Sequence, residues 1–395
     1  MVIVGAGPAG TALALMLARR GLAVTLVEAS RRNDRHFRGE ALLPSGLAAL
    51  ESIGGPALLG DLPHRPLAGW RFVLDGQELF RAAEPLEAGP ACTLVSQPAL
   101  LDRLQAEALQ HPGCRLLRGC GAADLLEEGG RVVGVRLGDG RPLRADLVVA
   151  SDGRRSLLRR RAGLALEERG RELRVQWFAW PAAPEPLPGG AWFTTLVGPA
   201  GLVSLFTSAT GVPQLAWVPP PGLEAGVAWA ELWARQAASE QAPWLRHTAG
   251  EPQPPVVTAV RPALAARWHR PGLLLLGDAA HPMSPVRAQG LNMALRDALV
   301  AAQELLPLLA QPEPLPPERI DGALARIEAR RRPEIQRLQE LQEEEARQGA
   351  WLQGSPWLRQ ALRAAAPLVA PAVRHRWIQR QHLLRQGLPQ AAPLD

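Results

Sequence analysis

The sequence predicts an α/β protein with a Rossmann-like domain, an inserted antiparallel β-sheet domain and a C-terminal helical region. Three observations predict this fold. At residues 2–20, a short apolar strand runs into a glycine-rich turn and a helix. Two later apolar strands end in Ser-Asp-Gly at 151–153 and in Gly-Asp at 277–278. From residue 316 onward, apolar residues recur at helical spacing.

The composition is that of a folded protein, with 47% hydrophobic and 21% charged residues. A chain of 395 residues is long enough for more than one packed region. The sequence contains no Lys and no Tyr, so Arg alone supplies the cations behind the formal net charge of +6. These arginines are scattered and form no basic stripe interleaved with aromatic residues, which argues against a nucleic-acid partner.

Three cysteines, Cys92, Cys114 and Cys120, give an odd count without metal-ligand spacing. They indicate reduced thiols, a cytoplasmic location and no metal site. No stretch reaches the roughly 20 apolar residues of a membrane span. The tail at 357–387 mixes Trp, Leu and Val with Arg. It either folds back onto the protein or makes peripheral contact with an anionic membrane surface.

The first glycine-rich turn has the spacing of a dinucleotide-binding motif. Gly5, Gly7 and Gly10 fit G-x-G-x-x-G between a strand at 2–4 and a helix predicted over 11–20. Gly5 allows the tight turn, Gly7 lets a pyrophosphate approach the backbone, and Gly10 lets helix and strand pack closely. The free N–H groups of the helix N-terminus favour the anion. Glu28 ends the second strand and would accept hydrogen bonds from an adenosine ribose, which suits FAD or NAD.

Two further strand ends carry a carboxylate. Asp152-Gly153 follows one buried strand, and Gly277-Asp278 follows another. At the carboxyl ends of parallel strands, such groups can meet a ligand in the crevice. Asp278 would accept from the ribityl hydroxyls of a flavin. The helix that begins near Gly290 would aim its N–H groups at the pyrimidine end of the flavin ring.

In this order and spacing, the motifs resemble those of the para-hydroxybenzoate hydroxylase-like family of FAD-dependent aromatic-ring hydroxylases, which are single-component flavoprotein monooxygenases. The resemblance runs from residue 2 to about 345. The motifs that carry it are G-x-G-x-x-G at 5–10, Asp-Gly at 152–153, Gly-Asp-Ala-Ala-His at 277–281, then Pro285, Gly290 and Asn292, and "EARRRPEIQRLQ" in the closing helix.

The resemblance implies an FAD site at which NADH or NADPH docks transiently, without a second dinucleotide motif. Arg38 would lie beside the FAD diphosphate, and Gln97 would lie against the ribityl chain. Asp152 and Gly153 would be structural or lie near the pyrophosphate, in a motif that the family links to pyridine nucleotide use. The other residues expected at the FAD are Gly5, Gly7, Gly10, Glu28, Gly277 and Asp278 along the nucleotide and Gly290, Leu291 and Asn292 near the isoalloxazine ring.

By the same resemblance, the protein would be an FAD-dependent monooxygenase. NAD(P)H and O₂ would give a flavin C4a-hydroperoxide that hydroxylates or epoxidises an apolar, aromatic or isoprenoid-like small molecule. Pro285 and the loop after it would shape the space for this chemistry, and His281 would be a hydrogen-bonded loop residue. The alternatives are a flavin-dependent reductase of an isoprenoid-like substrate and a non-catalytic redox sensor. A flavin-dependent halogenase needs a Lys, which the chain lacks.

Arg287 departs from the family pattern, because it stands where the family has a glycine. Its guanidinium brings five donors and a permanent charge to a site that is otherwise apolar. Turned into the cavity, it would pair with a substrate carboxylate or with the reduced, anionic flavin and act with Pro285. The alternative is that it turns out to solvent. Since the chain has no Tyr, we also expect a substrate that is already electron-rich or is ionised by Arg or His.

Alternating apolar runs between 171 and 220 predict an antiparallel sheet over a substrate cavity. A hairpin is expected at 70–80 and a β-meander at 114–150. The large aromatic residues of the predicted sheet are Trp177, Phe178, Trp180, Trp192, Phe193, Phe206 and Trp217. Some belong to the core, and together they predict a roomy apolar pocket. The expected domains are FAD-binding (1–68, 95–170 and 262–315), substrate-binding β-sheet (69–94 and 171–261) and C-terminal helical (316–395).

Overall fold

The computed structural model describes residues 1–33, 40–223, 229–248, 250–309 and 316–388. Its strands are β1 (Val2–Val4), β2 (Val24–Glu28), β3 (Ala41–Leu42), β4 (His64–Pro66), β5 (Gly69–Leu74), β6 (Gln77–Ala83), β7 (Thr93–Val95), β8 (Cys114–Arg118), β9 (Ala122–Glu128), β10 (Arg131–Leu137), β11 (Pro142–Arg144), β12 (Val148–Ala150), β13 (Leu166–Glu168), β14 (Leu173–Ala179), β15 (Trp192–Gly198), β16 (Gly201–Thr207), β17 (Pro213–Val218), β18 (Val256–Val260), β19 (Ala263–Ala265), β20 (His269–Arg270) and β21 (Leu273–Leu275). Its α-helices are α1 (Pro8–Arg19), α2 (Pro44–Gly54), α3 (Gln97–Leu109), α4 (Leu157–Arg161), α5 (Trp229–Gln236), α6 (Gln241–Pro243), α7 (Gln289–Leu309), α8 (Pro317–Gln353), α9 (Pro356–Ala364) and α10 (Ala366–Gln386).

A six-stranded sheet in the order β20-β21-β12-β1-β2-β8 forms the Rossmann-like layer. It is parallel except at the edge, where β20 runs antiparallel to β21. Alternate residues of β1, β12 and β21 enter two separate hydrophobic clusters, so both faces of the sheet are covered. Such near-continuous apolar strands are typical of parallel sheets. The predicted α/β fold class is confirmed.

Two local expectations differ from the structure. The helix predicted over 11–20 begins at Pro8, because proline is well suited to the first helical turn, where its missing N–H is not needed. The β-meander expected at 114–150 is only partly right. Strands β9, β10 and β11 form a separate antiparallel sheet, whereas β8 and β12 pair in parallel with β2 and β1. Short apolar strands do not reveal their partners from sequence alone.

A seven-stranded sheet, in the order β18-β14-β17-β16-β15-β5-β6, faces the first layer. Its neighbours are antiparallel except for β15 and β5, which run parallel. Strands β5 and β6 form the predicted hairpin around Asp75-Gly76. One face packs against α5 and α6 in a cluster rich in tryptophan. The other face is open to a cavity that lies against the Rossmann-like layer.

The C-terminal region consists of α8, α9 and α10, and α10 folds back onto the protein beside β6. Arg385 on α10 donates to both oxygens of Glu84 at 2.5 and 2.7 Å, and the two side chains are 3% and 0% exposed. No helix among the described residues is long and apolar enough to cross a membrane. Trp351, Trp357 and Leu368 remain exposed on these helices. Peripheral membrane contact therefore stays a prediction.

The Glu84–Arg385 pair should fasten the tail to the sheet. Arg385→Ala leaves the Glu84 carboxylate buried without its cation, which costs about 3–5 kcal/mol in comparable pairs. We expect a fall of that size in the free energy of unfolding, measured by denaturant titration, and earlier proteolysis within α10. Arg376→Ala, at an exposed position of the same helix, is the control. Equal stability of the two variants would contradict this assignment.

Candidate active site

The glycine turn after β1 has the geometry that a dinucleotide requires. Gly5 has a φ of +102°, and a Cβ placed there would lie 2.2 Å from the Ser151 carbonyl oxygen. A Cβ on Gly10 would lie 2.1 Å from the Gly5 carbonyl oxygen and 2.4 Å from Ser151 Oγ. A Cβ on Gly7 would meet nothing within 4 Å. Gly5 and Gly10 are thus required by packing, while Gly7 borders the open space of the cavity.

Glu28 lies beside this turn, at the end of β2, and is 8% exposed. Its Oε2 accepts from the Ala6 N–H and its Oε1 from the Ser30 N–H, both at 2.8 Å. These bonds hold the carboxylate against the cavity, which it lines. The position suits an acceptor for the hydroxyls of an adenosine ribose.

Asp152 has a structural role in addition to its place at the cavity. Its Oδ1 accepts from Ser156 Oγ at 2.5 Å, and its Oδ2 accepts from the Leu157 N–H at 2.8 Å. The carboxylate therefore stabilises the start of α4. Gly153, with a φ of +82°, turns the chain between strand and helix at the cavity wall.

Gly277 and Asp278 lie where β21 ends and line the cavity with Gln97, Gly290 and Leu291. Gly290 lies close to Asp278, since a Cβ on Gly290 would be 4.0 Å from Asp278 Oδ1. The end of β21, the first residue of α3 and the first turn of α7 thus line the same cavity.

Asp297 on α7 holds this turn in place through buried hydrogen bonds. It is fully buried, and its Oδ2 accepts from the Gly277 N–H at 3.1 Å and faces His281 Nε2 at 2.6 Å. Its Oδ1 accepts from Arg331 Nε of α8 at 2.8 Å. Burial opposes ionisation, but His281 and Arg331 outweigh it and lower the pKa of Asp297. His281 is thus a hydrogen-bonded loop residue, as expected.

Asn292 is fully buried, and its side chain forms hydrogen bonds with backbone groups of the protein. Its Oδ1 accepts from the Leu43 N–H at 2.9 Å, and its Nδ2 donates to the carbonyls of Ala41 at 3.0 Å and Ala288 at 2.9 Å. It joins the first turn of α7 to the segment around β3. Asn292 therefore positions these two segments relative to each other.

One cavity of about 830 Å³ extends from the glycine turn to the open face of the seven-stranded sheet. The polar end contains Gly7, Glu28 and Asp278, and Pro285 also lines the cavity. The aromatic residues that line the other end are Trp70, Phe72, Phe80, Trp177, Phe193, Phe206 and Trp377.

The alternation of side chains along the strands divides the predicted aromatic residues between cavity and core. Trp177, Phe193 and Phe206 line the cavity. Phe178 and Trp217 point to the opposite face of the same sheet and pack in its core. Because successive residues of a strand face opposite sides, neighbouring aromatic residues have different roles. The apolar pocket that these residues predict is present.

Arg287 turns inward, and its side chain is 10% exposed. Its Nε donates to Glu345 Oε1 on α8 at 2.8 Å. The guanidinium carbon lies 5.3, 5.7 and 5.1 Å from the ring centroids of Trp70, Phe72 and Trp377. Cations are attracted to such aromatic faces. The solvent-facing alternative is wrong, and the partner is a carboxylate of the chain itself.

A family model described as an FAD binding domain matches residues 1–314. A 6-methylpretetramide 4-monooxygenase from Streptomyces rimosus is 37% identical over 355 residues, which are 86% of this chain and 82% of the relative. The chain therefore belongs to the family that this FAD binding domain defines. A ubiquinone hydroxylase from Rhodospirillum rubrum is 30% identical over 358 residues, 85% of this chain and 78% of the relative. The p-nitrophenol 4-monooxygenase of Pseudomonas putida DLL-E4 has the same fold, with a TM-score of 0.76 at 18% identity and coverage of 98% of each chain.

The protein is therefore an FAD-dependent monooxygenase of the aromatic-ring hydroxylase family, as its motifs predict. FAD is its cofactor and NAD(P)H its reductant. The open space at Gly7, beside the N-terminus of α1, fits the pyrophosphate of that cofactor.

Several residues of the monooxygenase cavity belong to no motif that the sequence displays. Glu345 and Trp377 come from the C-terminal helices, and Trp70 and Phe72 come from the β5 hairpin. Glu40 also lines the cavity, two residues after Arg38 in the sequence. Only its position next to Arg38 could have drawn attention to it. Arg38 itself lies outside the described residues.

A matched pair of glycine substitutions should separate packing from cofactor binding. Gly10→Ala places a methyl group against backbone and should lower the free energy of unfolding by about 1–3 kcal/mol. Gly7→Ala places it in open space, so stability should change by less than about 0.5 kcal/mol while the fraction of protein that retains FAD falls. Denaturant unfolding and the visible spectrum measure the two effects. Full FAD content in Gly7→Ala would contradict the assignment.

Proposed function

We propose that this monooxygenase hydroxylates the ring of an extended, apolar aromatic molecule that bears a hydroxyl group. The observation that carries the proposal is the single cavity with one polar end and one aromatic end. The names of the two relatives support ring oxygenation, since one is a 4-monooxygenase and the other a ubiquinone hydroxylase. A volume of about 830 Å³ lies in the upper part of the range for ligand-binding cavities.

In this proposal, FAD lies along the glycine turn, with its ribose at Glu28 and its ribityl chain between Gln97 and Asp278. Gly290 and Leu291 at the start of α7 lie beside the ring, where helix N–H groups favour negative charge. We also propose the domain boundaries that the sequence predicts. Support comes from the pairing of β5 and β6 with the strands of residues 171–261 in one sheet.

The chain has three tasks when FAD supplies the electrons from NAD(P)H and the activated oxygen. It must hold the substrate ring, keep water away, and leave room for oxygen beside the flavin. Trp177, Phe193 and Phe206 offer flat apolar surfaces for the ring. Pro285 and the loop after it border the space for oxygen. Arg287 and Glu345 close the cavity wall between that loop and α8.

The test uses the purified holoenzyme with hydroxylated anthraquinones as substrates. We expect a flavin spectrum, NAD(P)H oxidation that the substrate accelerates, O₂ uptake, and a product heavier by one oxygen atom. Asp278→Ala should lose most of its FAD, because a hydrogen bond to a charged acceptor contributes about 1.5–3 kcal/mol. A product that gains hydrogen without O₂ uptake would instead indicate a reductase, and substrate-independent oxidation would argue against ring hydroxylation.

Substitutions at Glu345 and at Arg287 should shift the redox potential of the flavin in opposite directions. Glu345→Gln leaves the guanidinium uncompensated, which should stabilise the reduced, anionic flavin and raise its potential. Arg287→Gly suits the backbone, whose φ is +60° there, but leaves the carboxylate and should lower the potential. Shifts of about 30 mV, equivalent to about 1.4 kcal/mol, are expected in a redox titration. Identical potentials in both variants and the wild type would show that the pair does not act on the flavin.

A further inference from the structure

Glu40 lines the cavity with a carboxyl group that has no part in the function proposed so far. It directly precedes β3, and its carbonyl oxygen accepts from the Val95 N–H at 2.8 Å. Its Oε2 accepts a long hydrogen bond of 3.4 Å from the Ala209 N–H, just after β16. Ala209 belongs to the hydrophobic cluster that contains Trp70 and Phe206. The carboxyl group therefore lies between the three-stranded sheet β3-β7-β4 and the aromatic end of the cavity.

The two basic residues of β4, in the same three-stranded sheet, have other partners. On β4, Arg65 Nε donates to the Ser208 carbonyl at 3.2 Å, and His64 Nδ1 lies 2.9 Å from the Leu62 carbonyl. Strand β7 and the turn at 208–211 carry no titratable side chain. Within the described residues, Glu40 forms no ion pair. The charged residues that precede it, at 34–38, lie outside the described part.

Burial has the largest effect on the pKa of this carboxyl group. It raises the pKa of Glu40 to about 7, and the hydrogen bond from the Ala209 N–H offsets only part of this rise. At neutral pH, both protonation states of Glu40 are thus populated. A group with its pKa near the operating pH is the most effective in general acid–base catalysis.

We propose that Glu40 accepts the proton from a hydroxyl group of the aromatic substrate. This inference rests on the proposed ring hydroxylation. The substrate O–H bond breaks, its electron pair stays on the substrate oxygen, and the proton moves to the Glu40 carboxylate, with no change in oxidation state. The ionised oxygen enriches the ring in electrons. From the absence of Tyr, the sequence predicts a substrate that is already electron-rich or is ionised by Arg or His. The structure favours this carboxylate as the ionising group.

The test follows the proton without requiring turnover. The probe is 1,2-dihydroxyanthraquinone, whose ionised form absorbs at longer wavelengths than oxidised FAD. Its absorption is titrated with pH in the wild-type holoenzyme, in Glu40→Gln, which keeps an acceptor for the Ala209 N–H, and in Glu40→Asp. Glu51→Gln, exposed on α2, is the matched control.

We expect the wild type and the Glu51→Gln control to bind the probe in ionised form near neutral pH. Glu40→Gln should bind it with a Kd within about threefold of wild type, yet leave it un-ionised, and probe-dependent turnover should fall about 10²-fold. Glu40→Asp should restore part of the ionised band. An ionised band in Glu40→Gln equal to that of the wild type, or the absence of an ionised band in the wild type, would overturn the proposal.

Infrared difference spectroscopy provides a measurement that needs no probe. The wild-type holoenzyme should show a carboxyl band that titrates within about one unit of pH 7, and Glu40→Gln should lack it. If this band is also present in Glu40→Gln, or absent from the wild type, the proposal is wrong. The proposed function fails separately, if the product gains no oxygen atom although the probe is ionised through Glu40.

Discussion

The buried carboxylate of Asp297 holds together the segments on which the site depends. Its three donors come from the turn after β21, from the loop that contains His281, and from Arg331 on α8. Removing one partner of a buried charge pair costs several kcal/mol, because the remaining charge has no water to replace it. The position of Asp278 at the cavity is therefore coupled to the packing of α7 and α8.

This network continues to the end of the described chain. Arg331 also pairs with Glu334, and Glu334 pairs with Arg296 of α7 at 2.8 Å. Arg296 in turn donates to the Leu388 carbonyl at 2.6 Å. The C-terminal helices are thus built into the site, and through Glu345 and Trp377 they form part of its wall. The catalytic cavity is complete only when these helices have packed against both sheets.

The parts of the site that depend on local sequence could be predicted. The glycine turn, Glu28 and the Gly277-Asp278 strand end are short motifs in which spacing alone fixes the geometry. The contributions of Glu345, Trp377 and Glu40 could not be predicted in this way, because they depend on contacts between distant segments. Neighbouring aromatic residues of a strand face opposite sides of the sheet, but the sequence does not show which side faces the cavity and which faces the core.

Two residues at predicted positions have functions that only tertiary structure defines. Asn292 lies at the start of α7 as expected, yet its side chain joins α7 to the segment around β3. Arg287 was expected either to meet a ligand or to face solvent, and it instead pairs with Glu345 inside an aromatic enclosure. In both cases the residue type indicated an interaction, but the partner came from another part of the chain.

We propose that one cavity holds the flavin at the glycine turn and the substrate ring on the open face of the seven-stranded sheet. A crystal structure of the holoenzyme with a bound hydroxyanthraquinone tests this arrangement. We expect the FAD pyrophosphate beside Gly7, the flavin ring between Pro285 and Leu291, and the ligand against Trp177 and Phe206. A ligand bound outside this cavity, or a flavin that fills its aromatic end, would rule this arrangement out.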